Sequence, residues 1–184
     1  MSDASAPSVA ARDDLAGVVD LFDWLTRAEL SLALSELAFK QRTEIDEDAI
    51  AAAIDVAVAE YALVPAPPAA LTAEKLPPEG VSDPDDGVQT DTVALAVGPA
   101  AFPSLPADAE DLPHILDVPE RGVDRAVLSE AVLARLAGDA VAAISEDNTE
   151  RLERLADVTY DIETWAPVDA GEIRERIVDE LDSE

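Results

Sequence analysis

Proline decides where helices can run in this chain. Pro65 opens a stretch, residues 65–91, that holds five further prolines and two glycines. Residues 100–120 are punctuated by proline in the same way. Proline lacks the backbone N–H that a helix interior needs, and its ring clashes with the preceding turn. Helices are therefore expected on either side of this zone.

The N-terminal side meets that expectation in its apolar spacing. Residues 1–11 read as a frayed start. Leu15, Val18, Val19 and Phe22 then recur at helical steps. Thr26 followed by Glu29 has the form of a capping box, in which each residue satisfies an orphan donor of the other. The helix it opens carries Leu30, Leu34, Leu37 and Ala38 on one face and ends near Gln41. Asp46 caps a third helix through about Glu60, with Ile50, Ile54, Val58 and Tyr61 at four-residue steps. Its alanine run favours helix further.

Beyond Pro65 the reading is a loop, with a short helical turn near Thr72 and a turn over Asp83–Gly87. Thr92–Val97 reads as a strand closed by Gly98-Pro99, and Leu63-Val64 as its antiparallel partner. Helix, helix, helix, short strand, long loop, strand is the order of a winged helix. The expected organisation is a winged-helix-like domain over 12–99, with a long acidic wing loop over 65–91. A Pro-rich strap over 100–120 follows, then a helical C-terminal region over 121–184. The fold class is mainly α with a small β hairpin. In the C-terminal region Asp124 caps a helix to about Ile144, burying Leu133, Leu136, Ala137, Ala140, Val141 and Ile144. A short helix covers Thr149–Asp157, residues 160–167 are non-helical, and Asp169 caps a last helix striped by Ile173, Ile177, Val178 and Leu181.

Charge constrains the surroundings more than the fold. Forty-one acidic residues oppose twelve basic ones, for a net charge of −29. Residues 1–64 carry 13 acids and 4 bases, 65–120 carry 11 and 1, and 121–184 carry 17 and 7. The excess is uniform, which argues against a localised acidic tail and for a surface solvated in concentrated salt. At molar salt the screening length is only about 3 Å, so the total neither forbids nor supports contact with nucleic acid. The chain contains no cysteine, which excludes disulfides and thiolate chemistry. Residues 1–12 lack a signal-peptide pattern and no apolar stretch is long enough to span a membrane. The expected location is cytoplasmic.

No residue pattern assembles a catalytic site, a metal site or a cofactor loop, so no cofactor is expected. His114 stands alone, without a spacing that supplies a partner. Asp83, Asp85 and Asp86 resemble a fragment of a cation loop but lack its late glutamate. The seven glycines are dispersed, which gives no phosphate cradle. Trp24, Phe39, Tyr61, Tyr160 and Trp165 sit beside helical apolar faces, which favours packing. Trp165, with Tyr160, is the candidate for docking a partner, because tryptophan on an irregular segment can anchor an interface. Arg27, Lys40 and Arg42 are the candidate nucleic-acid contacts if the winged helix binds DNA. The presumptive recognition helix, residues 47–60, has no Lys or Arg and carries Glu47, Asp48, Asp55 and Glu60. Lys75 is the wing loop's single base. That is poor equipment for phosphates or guanine edges.

Leu25 through Leu30, the segment Phe39-Lys40-Gln41 and the run Asp46-Glu47-Asp48 resemble a haloarchaeal family of uncharacterised acidic proteins. Gly98–Pro103 and Leu112–Val118 share the resemblance, which spans most of residues 12–181. It implies a halophilic protein and carries over no catalytic residues. Leu25–Leu30 also resembles the opening of the second helix in winged-helix regulators. The leading expectation is a non-enzymatic interaction or accessory protein whose partner is another protein. A transcription-associated winged-helix DNA-binding protein is the alternative, and an enzyme with a site hidden from sequence is the remote one.

Overall fold

The computed structural model describes residues 9–73, 80–87 and 90–183; Lys75 and part of the expected wing loop lie outside them. The fold is mainly helical with small antiparallel sheets, and the chain divides into two compact units, Met1–Val123 and Asp124–Glu184.

The first unit begins with α1 (Val9–Asp20), so residues 9–11 of the expected frayed start are helical. After β1 (Trp24–Thr26), the Thr26 hydroxyl accepts from Glu29 N and the Glu29 carboxylate accepts from Thr26 N, completing the capping box of α2 (Arg27–Lys40). Asp46 accepts from Ala49 N at 2.6 Å to cap α3 (Glu47–Ala59). The chain then enters β2 (Leu63–Ala66), β3 (Leu71–Ala73) and β4 (Ala94–Val97). β4 pairs with β2 antiparallel, as expected, with Val64 opposite Ala96, and with β1 on its other side, giving the order β1-β4-β2. The expected hairpin is thus the half of a three-stranded sheet that sequence exposes. Thr72, expected in a helical turn, lies instead in β3, preceded by a 3₁₀ turn at Pro68–Ala70. Its partner β5 (Arg121–Val123) is far along the chain, so no local signal announces the pair.

The core of this unit collects Leu15, Val18, Val19 and Phe22 from α1, Leu30, Ala33 and Leu37 from α2, and Ile50, Ile54 and Val58 from α3. Ala109 and Leu112, from the proline-punctuated 100–120 stretch, join it; Leu112 opens the five-residue α4 (Leu112–Leu116). The stretch reaches α1 through hydrogen bonds to Asp13. Ser104 N donates to Asp13 O at 3.0 Å, and Phe102 N to an Asp13 carboxylate oxygen at 3.1 Å. Trp24 and Tyr61 are buried as expected, whereas Phe39 is 80 % exposed because it lies on the side of α2 opposite Leu30 and Leu37.

The second unit contains α5 (Arg125–Ser145), α6 (Thr149–Trp165) and α7 (Gly171–Asp182). Asp124 caps α5 by accepting from Ala126 N and Val127 N. The buried stripe is Leu128, Val132, Leu136, Ala140 and Ala143, so Leu136 and Ala140 are placed as expected, while Val141 is exposed and Leu133, Ala137 and Ile144 are half-buried. The spacing leaves two neighbouring faces of similar hydrophobicity, and packing on α6 selects one. α6 does not stop at Asp157 but runs on to Trp165, correcting the expected non-helical 160–167 segment. Val158, Thr159 and Ile162 are buried there, and tertiary packing overrides the modest helix propensity of the threonines and aromatics. In α7 Ile177 is buried and Val178 exposed, and the Asp169 carboxylate receives Gly171 N at 2.8 Å.

Candidate functional site

Arg27 opens α2 and its guanidinium turns inward, donating to Asp55 Oδ1 at 2.5 Å and to Ala51 O at 3.2 Å. With only 6 % of its surface exposed, it ties α2 to α3 rather than facing solvent. Lys40 closes α2 and donates to Asp111 at 2.9 Å, which holds the Asp111 carboxyl below its ordinary range, first through that hydrogen bond and then through the charge. Arg42 is exposed in a left-handed conformation, φ 54°, and makes no ion pair among the described residues. Of the three candidate nucleic-acid contacts, Arg27 is thus turned inward, Lys40 is paired with Asp111 and Arg42 is exposed. The outer side of α3 presents Glu47 and Asp48 with Ala49, Ala52 and Ala59, and no base.

Tyr160 and Trp165 both lie on α6, and each carries an arginine over its ring. The Arg174 guanidinium sits 3.9 Å from the Tyr160 ring centre and that of Arg125 4.6 Å from Trp165. Arg174 also donates to Thr159 and, at 2.6 Å, to Glu163. Glu163 accepts from Ala170 N as well, and these bonds, the backbone one first, hold its carboxyl below the ordinary range. Tyr160 remains 58 % exposed and Trp165 half-buried.

A cluster that sequence does not reveal joins residues 92 positions apart. Arg121 of β5 makes a two-pronged pair with Glu29, 2.7 Å for each bond, and donates to Trp24 O at 3.0 Å. Its guanidinium stacks 3.8 Å from the Trp24 ring centre. Burial alone would raise the Glu29 pKa, but the Arg121 hydrogen bonds, the Thr26 N–H and the Arg121 charge together outweigh it and bring the value below normal. The Thr26–Glu29 spacing discloses the cap; nothing in it discloses the second partner.

The described residues form open clefts, of which one lies in each unit. One, in the first unit, is lined by Ser35, Ala38, Phe39 and Ile45 with Glu44 and Asp46. The other, in the second unit, is floored by Leu133, Ala134, Ala137 and Ile173 and edged by Glu130, Asp169 and Glu172. Both open broadly to solvent, unlike the enclosed sites that bury most of a small ligand. Among the described residues no group of three or more His, Asp or Glu is arranged to hold a metal, and no helix is long and apolar enough to cross a membrane. His114 is exposed.

No curated protein and no solved structure matches the chain. A family of unknown function, DUF7109, matches residues 13–182, and the chain belongs to that family.

Proposed function

We propose that this is a non-enzymatic interaction or accessory protein of a halophile, working in the cytoplasm, whose first unit uses a winged-helix arrangement to bind protein rather than to read DNA. The observation that carries the reading is the use of the basic residues: Arg27 is spent inside on Asp55, Lys40 on Asp111, and α3 offers only carboxylates and alanines outward. Non-specific affinity for DNA comes from cations matched to phosphates, and this helix has none to match. The arrangement α1, β1, α2, α3, β2, β4 with the sheet order β1-β4-β2 supports the winged-helix part. Halophily is supported by the charge itself, since none of the described carboxylate residues is buried. In the second unit, Tyr160 and Trp165 fit a docking role, because their stacked arginines hold the rings in fixed orientations.

The test is affinity capture from native cells in high salt, alongside binding to a duplex library at molar potassium chloride. A stoichiometric protein partner without duplex enrichment is the expected result. Duplex enrichment that disappears in Arg42→Glu would replace this reading with the transcription-associated one, which the element order and the exposed Arg42 favour.

A further inference from the structure

The outward face of a surface helix is normally polar. Helix α2 has Leu30, Ala33 and Leu37 in the core, yet its opposite side carries Leu32 at 52 % exposure and Phe39 at 80 %. These two are seven residues apart, which places them on one stripe along about two turns of helix. Ile45, 48 % exposed, lines the same cleft as Phe39, in the turn before α3. Single exposed apolar residues are ordinary, but Phe39 and Ile45 line one groove and Leu32 extends the Phe39 stripe along α2, and such a grouping is the signature of a binding surface.

The charges around the groove select its occupant. Its lining holds the carboxylates of Glu44 and Asp46 and no lysine or arginine. Lys40, which leaves the same end of α2, is drawn away to Asp111, leaving Arg42 as the cation of this turn. A second copy of the chain would bring a further acidic surface against this border. We propose that the Leu32–Phe39–Ile45 face docks an amphipathic segment of a protein partner, apolar along one side and flanked by lysine or arginine. Phe39 is the anchor that enters the partner's apolar side, and the bordering carboxylates pair with its basic flanks. The proposal rests on this face alone, so duplex binding elsewhere would overturn the preceding reading without deciding this one.

The experiment uses the full chain at the lowest salt that keeps its helical circular dichroism. The probe is a fluorescein-labelled peptide with leucine at helical spacing and lysine at the other positions. Its control has glutamate in place of every lysine. Fluorescence anisotropy is expected to show saturable binding of the lysine peptide and at least about tenfold weaker binding of the glutamate one. Phe39→Ala is expected to weaken the lysine peptide by about tenfold or more, as loss of a buried aromatic anchor requires. Phe102→Ala, which removes a phenylalanine of equal exposure elsewhere on the unit, should leave binding unchanged. Equal affinity for the two peptides, no effect of Phe39→Ala, or an equal loss in Phe102→Ala would overturn the proposal. So would a concentration-dependent dimer, detected by light scattering, that Phe39→Ala abolishes.

Discussion

Gly17→Ala should destabilise the protein even though it places the best helix former inside a helix. In an unobstructed helix interior this change contributes about 1 kcal/mol of stability. At position 17 of α1, however, a Cβ would sit 2.0 Å from Ser104 O, 2.5 Å from Ser104 C and 3.1 Å from Leu105 N. Ordinary contact begins near 3.4 Å, and all three neighbours are backbone atoms with no rotamer to yield. They are also pinned, because Ser104 N and Phe102 N both bond to Asp13 one helical turn earlier. If the strap stays, the overpacking costs about 1–3 kcal/mol, at the upper end for so deep an overlap. If it lifts, two hydrogen bonds worth about 1 kcal/mol each are lost together with the burial they accompany. Either route exceeds the helix gain, leaving a net loss of about 2 kcal/mol. Urea unfolding in concentrated potassium chloride, followed by circular dichroism, should show a midpoint lower by about 1 M. Gly138→Ala in α5 is the matched control, because its Cβ meets nothing within 4 Å. It should stabilise by up to about 1 kcal/mol. If both variants stabilise alike, the close approach of the strap to α1 is refuted.

Three further outcomes follow from the same structure. The melting temperature should rise from low salt to multimolar potassium chloride, since the screening length falls from about 30 Å at 0.01 M to about 3 Å at 1 M; an unchanged midpoint would reject the halophilic reading of the −29 charge. The depressed pKa of Glu29 makes its pair with Arg121 stabilising above the ordinary glutamate pKa, and that contribution is lost as pH falls through the lower folded value. Glu29→Gln should flatten this acid limb in pH-dependent melts, and Arg121→Ala should cost about 3 kcal/mol by leaving a half-buried carboxylate unpaired. Thr26→Ala should lower stability by about 1 kcal/mol through loss of the cap, read as a shift in the same urea midpoint.

The sequence by itself determined the elements whose signals are local. Thr26, Asp46 and Asp124 cap the helices they were expected to cap, because a cap bonds to N–H groups only two or three residues away. Helical spacing placed Leu15, Val18 and Val19, and Ile50 and Ile54, inside. Tertiary structure decided what depends on distant partners. The strand Trp24–Thr26 exists because β4 lies beside it, and Leu71–Ala73 because Arg121–Val123 does; three residues carry no periodicity of their own. The reach of α6 to Trp165 is fixed by burial of Thr159 and Ile162 and by the bonds from Arg174, none of which its propensity encodes. Arg27, a candidate phosphate contact on the strength of its position, became an internal tie when folding brought Asp55 within 2.5 Å. Phe39 went the opposite way: its place beside a helical apolar face suggested packing, and the rotation of α2 about Leu30 and Leu37 left it outside. A helix has one orientation in a fold, and only the packing of its neighbours decides which of two apolar faces that orientation hides.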